Sequence, residues 1–329
     1  MTALPLPLLA LSVGFFALSF SADRLISVSA TYAKHCNVSL IFIGMTVVAF
    51  GTSAPELLVS AVAAVNHADE LALGNGIGSN IINIGIVLSI CVLIAPIRAH
   101  RRFLKREFPI LAVSMVLCIT LMSKGKLGVI DGLILALGLL VYCFYLAKSV
   151  QQGQTEHDEF EFLPVTKRRA GWESWGMLVL LLASSRLMVW GAVKLAQAAG
   201  LSELTIGLTI IAFGTSLPEL AAGIAGVRRG MYDIVFATVI GSNIFNLLGV
   251  IALPALLGDD VSIPEQVLTR DIPFMALSTL VLGGMFAISY FRVSLSKEQT
   301  TDYHIHRVGG GILLLIFCVY LIKVSDDFL

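Results

Sequence analysis

A thirteen-residue stretch occurs twice in this 329-residue chain: Gly44-Met45-Thr46-Val47-Val48-Ala49-Phe50-Gly51-Thr52-Ser53-Ala54-Pro55-Glu56 returns as Gly207-Leu208-Thr209-Ile210-Ile211-Ala212-Phe213-Gly214-Thr215-Ser216-Leu217-Pro218-Glu219. A second stretch, Gly78-Ser79-Asn80-Ile81-Ile82-Asn83, returns as Gly241-Ser242-Asn243-Ile244-Phe245-Asn246. Both repeats share one offset, the 163 residues that separate Glu56 from Glu219. A single register aligning two motifs is the mark of duplication, so the fold has to be assembled from two related halves.

The halves are built for lipid. Hydrophobic residues make up 57% of the chain, charged residues 13%, and the mean hydropathy is +0.89, far from the roughly 25% charged residues of a soluble domain. A hydrocarbon core of about 30 Å takes about 20 apolar residues per spanning helix. On that measure ten segments span: 5–30, 39–66, 71–96, 107–123, 127–147, 173–199, 203–227, 232–257, 271–291 and 308–325. The expected fold is an all-α polytopic membrane protein of two five-helix repeats, 1–148 and 172–329, joined by a linker loop at 149–171. Five is odd, so the second repeat enters from the opposite side and the repeats are inverted. No connection is long enough for a soluble catalytic or regulatory domain.

Net charge is zero, which points to no nucleic-acid partner, but Lys and Arg are unevenly placed. Connections after odd-numbered segments carry Lys34; Arg98, Arg101, Arg102, Lys105 and Arg106; Lys148, Lys167, Arg168 and Arg169; Arg228 and Arg229; Arg292, Lys297 and Arg307. The other side carries Lys124, Lys126, Lys194, Arg270 and Lys323. The positive-inside rule makes the first set cytoplasmic and puts both termini outside. The apolar run ending at Ser19-Phe20-Ser21-Ala22 has small residues where a signal peptidase would want them, yet lacks a basic leader. Arg24-Leu25 also recurs as Arg186-Leu187, so the first helix is read as retained.

Each long motif carries the means to break a helix. Pro55 and Pro218 cannot donate to the carbonyls of Gly51 and Gly214, and their rings press on those oxygens. Irregular backbone at membrane depth has to be buried in protein or line a wet cavity. Thr52, Ser53, Thr215 and Ser216 add oxygens beside the breaks, and Glu56 and Glu219 follow one turn later. A carboxylate in the bilayer costs about 2.5–3.5 kcal/mol even on lenient scales and marks a functional site by default. On the next segments Ser79 and Asn83, and Ser242 and Asn246, stand at i and i+4 on one face. Carboxylate, hydroxyl, amide and carbonyl oxygens suit hard cations such as Ca²⁺.

Other features have plainer readings. Gly74, Gly76, Gly78 and Gly241 suit close helix packing. Cys36, Cys91, Cys118, Cys143 and Cys318 show no ligand spacing and read as small hydrophobes; the six histidines fall in or near loops. Glu156, Asp158, Glu159 and Glu161 lack the spacing and glycine of an EF-hand and read as a solvated linker.

The doubled Gly-Thr-Ser-X-Pro-Glu, each followed by Gly-Ser-Asn-Ile-X-Asn, resembles the calcium/cation antiporter superfamily, the sodium/calcium exchangers and their prokaryotic relatives, over nearly the whole chain. The resemblance implies ten helices in inverted repeats, with helices 2, 3, 7 and 8 enclosing the ions. It implies Ca²⁺ ligation by Glu56 and Glu219 with the carbonyls of Thr52 and Thr215. Oxygens of Ala49, Ser53, Ser79, Ala212, Ser216 and Ser242 would match Na⁺ positions, and Asn83 and Asn246 the mid-helix positions. Known exchangers can carry Asp where this chain has Asn246. The implied function is Ca²⁺ extrusion driven by Na⁺ across a cytoplasmic (inner) membrane, without cofactor, catalysis or obligate protein partner. Exchange against H⁺, another divalent cation, or a K⁺-dependent cycle stays open, as does, more remotely, an intramembrane hydrolase built on two carboxyls.

Overall fold

The computed structural model describes residues 5–100, 103–149, 162–198, 212–258, 260–296 and 302–326. Arg101, Arg102, His157, Lys297, the linker acids Glu156, Asp158, Glu159 and Glu161, and residues 203–211 of the seventh expected segment lie outside them.

Helix dominates. Element α1 is Pro5–Cys36, running unbroken through Ser19–Ala22; α2 is Leu40–Thr52 and α3 Ala54–Val65; α4 is Asp69–Ile94; α5 is Phe108–Met122; α6 is Val129–Ser149. Then follow α7 (Lys167–Ala198), α8 (Ala212–Thr215), α9 (Leu217–Arg228), α10 (Tyr232–Leu257), α11 (Val267–Phe291) and α12 (Arg307–Asp326). Among the described residues seven helices are long and apolar enough to cross a membrane, namely α1, α4, α6, α7, α10, α11 and α12. The pair α2 and α3 makes an eighth span if counted as one, bent by 41° at Ser53. The basic end of α7 reaches back to Lys167, inside the stretch expected as linker.

Two short ribbons accompany the helices of this all-α fold. Strand β1 (Ile97–His100) pairs antiparallel with β4 (Asp302–Ile305), and β2 (Lys126–Leu127) with β3 (Val261–Ser262). Both ribbons lie in connections, where backbone groups leave the helices and take partners from another loop instead of water.

The ribbons pair loops that the charge pattern groups together. Each joins two loops that the charge pattern assigns to one side: β1 and β4 among the basic loops, β2 and β3 on the opposite face. Other ties at the basic face agree. Leu163 N donates to Thr31 Oγ1 at 3.1 Å, Arg307 Nη2 to the Ile94 carbonyl at 3.1 Å, and Arg229 grips Asp23 through Nε (2.7 Å) and Nη2 (2.5 Å). Arg24 is bonded to Glu173. At the other face Lys124 Nζ meets Asp131 at 2.7 Å and Ile263 N donates to the Gly125 carbonyl at 2.9 Å.

Packing follows from small residues. Helices α1 and α7 lie antiparallel along most of their length: Gly191 rests on the Pro7 carbonyl, Gly14 on Met188 and Ser184, and Gly171 on Tyr32. A side chain at Gly14 or Gly191 would collide with the partner helix, and one at Gly171 would press on the Tyr32 ring. At the centre is α10, whose apolar window is entirely buried, with α4 beside it; α1, α6, α7 and α12 form the lipid-facing shell. Gly76 meets Ile251 and Gly241 meets Ala49, the close approach expected of them, whereas Gly74 and Gly78 face open space.

Candidate functional site

The two breaks are local consequences of the sequence. Helix α2 stops at Thr52 and α3 restarts at Ala54 with Pro55 in its first turn; α8 stops at Thr215 and α9 restarts at Leu217 with Pro218 in its first turn. Proline belongs there, because first-turn N–H groups have no intrahelical acceptor to lose. Glu56 and Glu219 therefore sit in the first turn of a new helix, where the positive end of the helix dipole favours an anion. The Gly214 carbonyl, freed by Pro218, takes a hydrogen bond from Ser185 Oγ of α7 at 3.0 Å.

A second local feature repeats. In α4 the helix widens into a π-turn over Asn83–Leu88, and in α10 over Asn246–Val250. Each starts at the last asparagine of its Gly-Ser-Asn-Ile-X-Asn motif. Such π-bulges recur at functional sites because they shift the following side chains out of ordinary helical register.

The breaks face each other. Glu56 and Glu219 are both 1% exposed, and their carboxyls are near enough to interact electrostatically. Contacts cross between the halves: Thr215 faces the Glu56 carboxyl, and Thr52 faces that of Glu219. Ser53 Oγ donates to Glu219 Oε1 at 3.3 Å, and Ser242 Oγ to the same oxygen at 3.4 Å and to the Ala49 carbonyl at 3.4 Å. Thr52 Oγ1 donates to the Ala49 carbonyl at 3.3 Å.

Oxygen acceptors are in excess. Glu56 Oε2, Glu219 Oε2, Asn80 Oδ1, Asn83 Oδ1, Asn246 Oδ1 and Ser216 Oγ are buried without a hydrogen-bond partner among the described residues. Buried polar groups normally find partners. A cluster of unmatched oxygens in an enclosed anionic site is what a cation would satisfy. No group of three or more His, Cys, Asp or Glu occurs among the described residues, so the oxygens come mainly from neutral groups around two carboxyls.

Of the sequence candidates, Ala49, Thr52, Ser53, Glu56, Ser79, Asn83, Thr215, Ser216, Glu219, Ser242 and Asn246 are all buried, on α2, α3, α4, α8, α9 and α10 or at the two breaks between them. Ala212 begins α8 one turn before the break. Sequence reasoning passed over three asparagines. Asn243 Oδ1 accepts from Asn83 Nδ2 at 3.1 Å, and Asn80 Nδ2 is tied to the Gly76 carbonyl at 3.2 Å. Asn75 Nδ2 donates to the Glu56 carbonyl at 2.9 Å and to Ser60 Oγ at 3.0 Å, clamping α4 to the turn that carries the carboxylate. The repeat offset was the available signal: Asn80 and Asn243 are equivalent, and Asn75 matches Thr238, another buried polar residue.

Comparison with known proteins gives a consistent picture. Residues 6–148 and 174–325 match the family described as sodium/calcium exchanger protein. The inner membrane protein YrbG of Escherichia coli (strain K12) is 37% identical over 320 residues, covering 94% of this chain and 96% of its own. The sodium/calcium exchanger MaX1 of Methanosarcina acetivorans is 27% identical over 353 residues, covering 95% and 97%. Among solved structures, the sodium-calcium exchanger NCX_Mj soaked with 10 mM Na⁺ and 10 mM Sr²⁺ superposes with a TM-score of 0.81 at 29% identity, covering 97% of this chain and 98% of that one.

Proposed function

The chain belongs to the sodium/calcium exchanger family, a group of multi-pass membrane antiporters, and from that premise we propose that it expels Ca²⁺ across the cytoplasmic membrane in exchange for Na⁺ by alternating access. The observation that carries this reading is the facing pair Glu56 and Glu219, each in the first turn after a helix break and surrounded by oxygens that lack donors.

In this reading Glu56 and Glu219 ligate Ca²⁺ together with the carbonyls of Thr52 and Thr215. Oxygens of Ala49, Ser53, Ser79, Ala212, Ser216 and Ser242 take Na⁺, and Asn83 and Asn246 line the same chamber. The arrangement suits ions that prefer six to eight oxygens at flexible distances. Two ionised carboxylates give −2, which one Ca²⁺ neutralises. Three Na⁺ would leave +1, so a three-for-one cycle moves charge. Asn246 is amide rather than carboxyl and takes no proton.

The architecture assigned is ten spans in two inverted five-helix repeats, 1–148 and 172–329, with a linker between and both termini outside. Support comes from the antiparallel α1 and α7, from the matched breaks, and from ribbons that join loops of one expected side. The two spans beyond the eight counted would be α5 with its preceding turn Phe103–Glu107, and α8 with α9. Inverted repeats with broken helices place substrate near the bilayer midplane and rock one bundle against another. The cytoplasmic membrane as location draws on likeness to YrbG, itself named an inner membrane protein.

One observation favours a second coupling ion: two facing buried carboxyls can also hold a proton, which would make the exchange Ca²⁺/H⁺. A single assay separates the two. Protein in liposomes loaded with Na⁺ should take up ⁴⁵Ca²⁺ when diluted into Na⁺-free buffer, with pH and K⁺ gradients clamped, and Glu56→Gln should abolish it. Uptake that ignores Na⁺ and follows an imposed pH gradient would replace the Na⁺ reading.

A further inference from the structure

Two further repeats fall outside the 163-residue register. Arg106-Glu107-Phe108-Pro109 returns as Arg270-Asp271-Ile272-Pro273, 164 residues on. Gly132-Leu133-Ile134-Leu135, closing at Val141-Tyr142, returns as Gly310-Gly311-Ile312-Leu313, closing at Val319-Tyr320, 178 residues on. The first pair opens the spans of α5 and α11, with each acid ending a π-turn (Phe103–Glu107 and Val267–Asp271); the second pair lies on α6 and α12. Neither repeat supplies a residue to the candidate ion site. Both acids are buried all the same, Glu107 at 0% and Asp271 at 8% exposed. Carboxyls buried in a membrane protein are costly and call for a task.

Each acid is tied to tyrosine on the last helix of its own repeat. Tyr145 Oη donates to Glu107 Oε1 at 3.3 Å, and Tyr142, one turn earlier, lies near enough to feel the same charge. Tyr320 faces the Asp271 carboxyl, which Arg270 also holds through Nε at 2.7 Å. Helix α5 is thus fastened to α6, and α11 to α12.

The fastened helices press on the opposite repeat. Tyr142 meets the Phe245 ring edge-on at 5.8 Å, and Phe245 is the residue before Asn246. Leu139 closes on Gly249, inside the π-turn that Asn246 begins. In the other half Phe317, its ring 6.2 Å from that of Tyr320, closes on Gly85, inside the π-turn that Asn83 begins. A Cβ would come within 3.1 Å of Leu139 at Gly249 and within 2.8 Å of Phe317 at Gly85, so each turn is moulded to the helix beside it. A π-turn is a rare departure from the α-helix, and what packs against it decides where its first side chain points.

From this arrangement we infer that two acid–tyrosine pairs, Glu107 with Tyr145 and Asp271 with Tyr320, are positioning groups for the ion site. Each holds the last helix of its own repeat against the π-turn of the other repeat, and so fixes where the asparagine heading that turn presents its amide. The action crosses between the halves: Glu107 sets Asn246, and Asp271 sets Asn83. The inference rests on the proposed place of those asparagines in the ion chamber, and it adds four residues that touch no ion.

The test is a set of crossed double variants, read by equilibrium ⁴⁵Ca²⁺ binding to purified protein with Na⁺ as competitor. Tyr320→Phe and Tyr145→Phe, which remove one hydroxyl each, should raise the half-displacing Na⁺ by about threefold, the scale of one interhelical bond in a membrane. Tyr320→Phe should add nothing in an Asn83→Ala background but keep its effect in Asn246→Ala, and Tyr145→Phe should do the reverse. Such non-additivity marks residues that act through one another. Asp271→Glu, which installs the acid found at position 107, should bind as the parent does, and Asp271→Leu should shift Na⁺ further than Tyr320→Phe. If Asp271→Leu fails to fold, the two hydroxyl variants carry the test alone. Equal shifts in both asparagine backgrounds, or lower melting points with ion binding unmoved, would overturn the positioning role. Absence of Na⁺-driven Ca²⁺ flux in the parent would remove the exchange reading, while the crossed binding pattern would still decide this one; a parent that binds neither ion would remove both.

Discussion

Asn83 Nδ2 of α4 donates to Asn243 Oδ1 of α10 at 3.1 Å, joining the two Gly-Ser-Asn-Ile-X-Asn motifs at positions that are not equivalent. The last asparagine of one copy meets the middle asparagine of the other. Their counterparts do otherwise, since Asn80 turns its amide to the Gly76 carbonyl and leaves Oδ1 unmatched, as is Asn246 Oδ1. The duplication is therefore broken at the site itself. Asn243→Leu should strand the Asn83 amide and cost about 1 kcal/mol, the scale of interhelical bonds in membranes. Thermal denaturation in detergent should fall by a few degrees, whereas Asn246→Leu should leave the melting point closer to the parent.

Glycine positions divide by what stands opposite. A Cβ at Gly51 would come 2.5 Å from Leu178, and one at Gly214 would strike Val189, so either alanine pushes α7 off a break. Gly51→Ala and Gly214→Ala should each reduce exchange at least tenfold or halve the yield of folded protein. Gly74→Ala meets nothing within 4 Å and should transport as the parent does. Parallel flux and size-exclusion measurements on the three variants check the contrast.

Ser53 and Ser216 occupy matching positions but hold different partners. Ser53 Oγ donates to Glu219, while Ser216 Oγ is buried without a partner among the described residues. Ser53→Ala should raise the half-saturating Na⁺ and also lower stability, by about 1 kcal/mol for a lost bond to a carboxyl. Ser216→Ala should raise half-saturating Na⁺ with stability unchanged. Flux titrations paired with melting curves separate an ion ligand from a structural bond.

At the basic face Arg229 clasps Asp23 with two nitrogens, holding α1 to the turn between α9 and α10. The bond raises the guanidinium's affinity for its proton above the ordinary arginine value. Stability from a raised cation is fully present below its unfolded pKa and is lost only above it, so the arginine stays protonated from pH 6 to about 9. If one bundle rocks against another during the cycle, a flexible thiol cross-linker between Asp23→Cys and Arg229→Cys, in a background without other cysteines, should stop exchange. Reduction should restore it. Unchanged flux in fully cross-linked protein would rule out motion across this joint.

How much was legible depended on the range of the interaction. The breaks at Ser53 and Ser216 follow from a proline four residues after a glycine, and the facing carboxyls from two copies of one motif. Those are local or repeated signals. The clamp of Asn75 on the Glu56 carbonyl and the unequal pairing of Asn83 with Asn243 depend on which side chain reaches across to another helix, and the repeat alone predicts symmetry there. The ribbons were hidden for a similar reason. Ile97–His100 has no strand character apart from a partner far along the chain.

The ribbons bear on the order of synthesis. Each takes one strand from before the linker and one from after it, β1 with β4 and β2 with β3. When the ribosome has finished residue 149, the first five segments can already be in the bilayer, yet Ile97–His100 and Lys126–Leu127 still wait for their strand partners. The first ribbon to close is β2 with β3, as Val261–Ser262 emerges; the one among the basic loops waits for Asp302–Ile305. Until then the early half is an inserted intermediate with loose loops on both surfaces, and that interval is when membrane chaperones and proteases would have their best access to the protein.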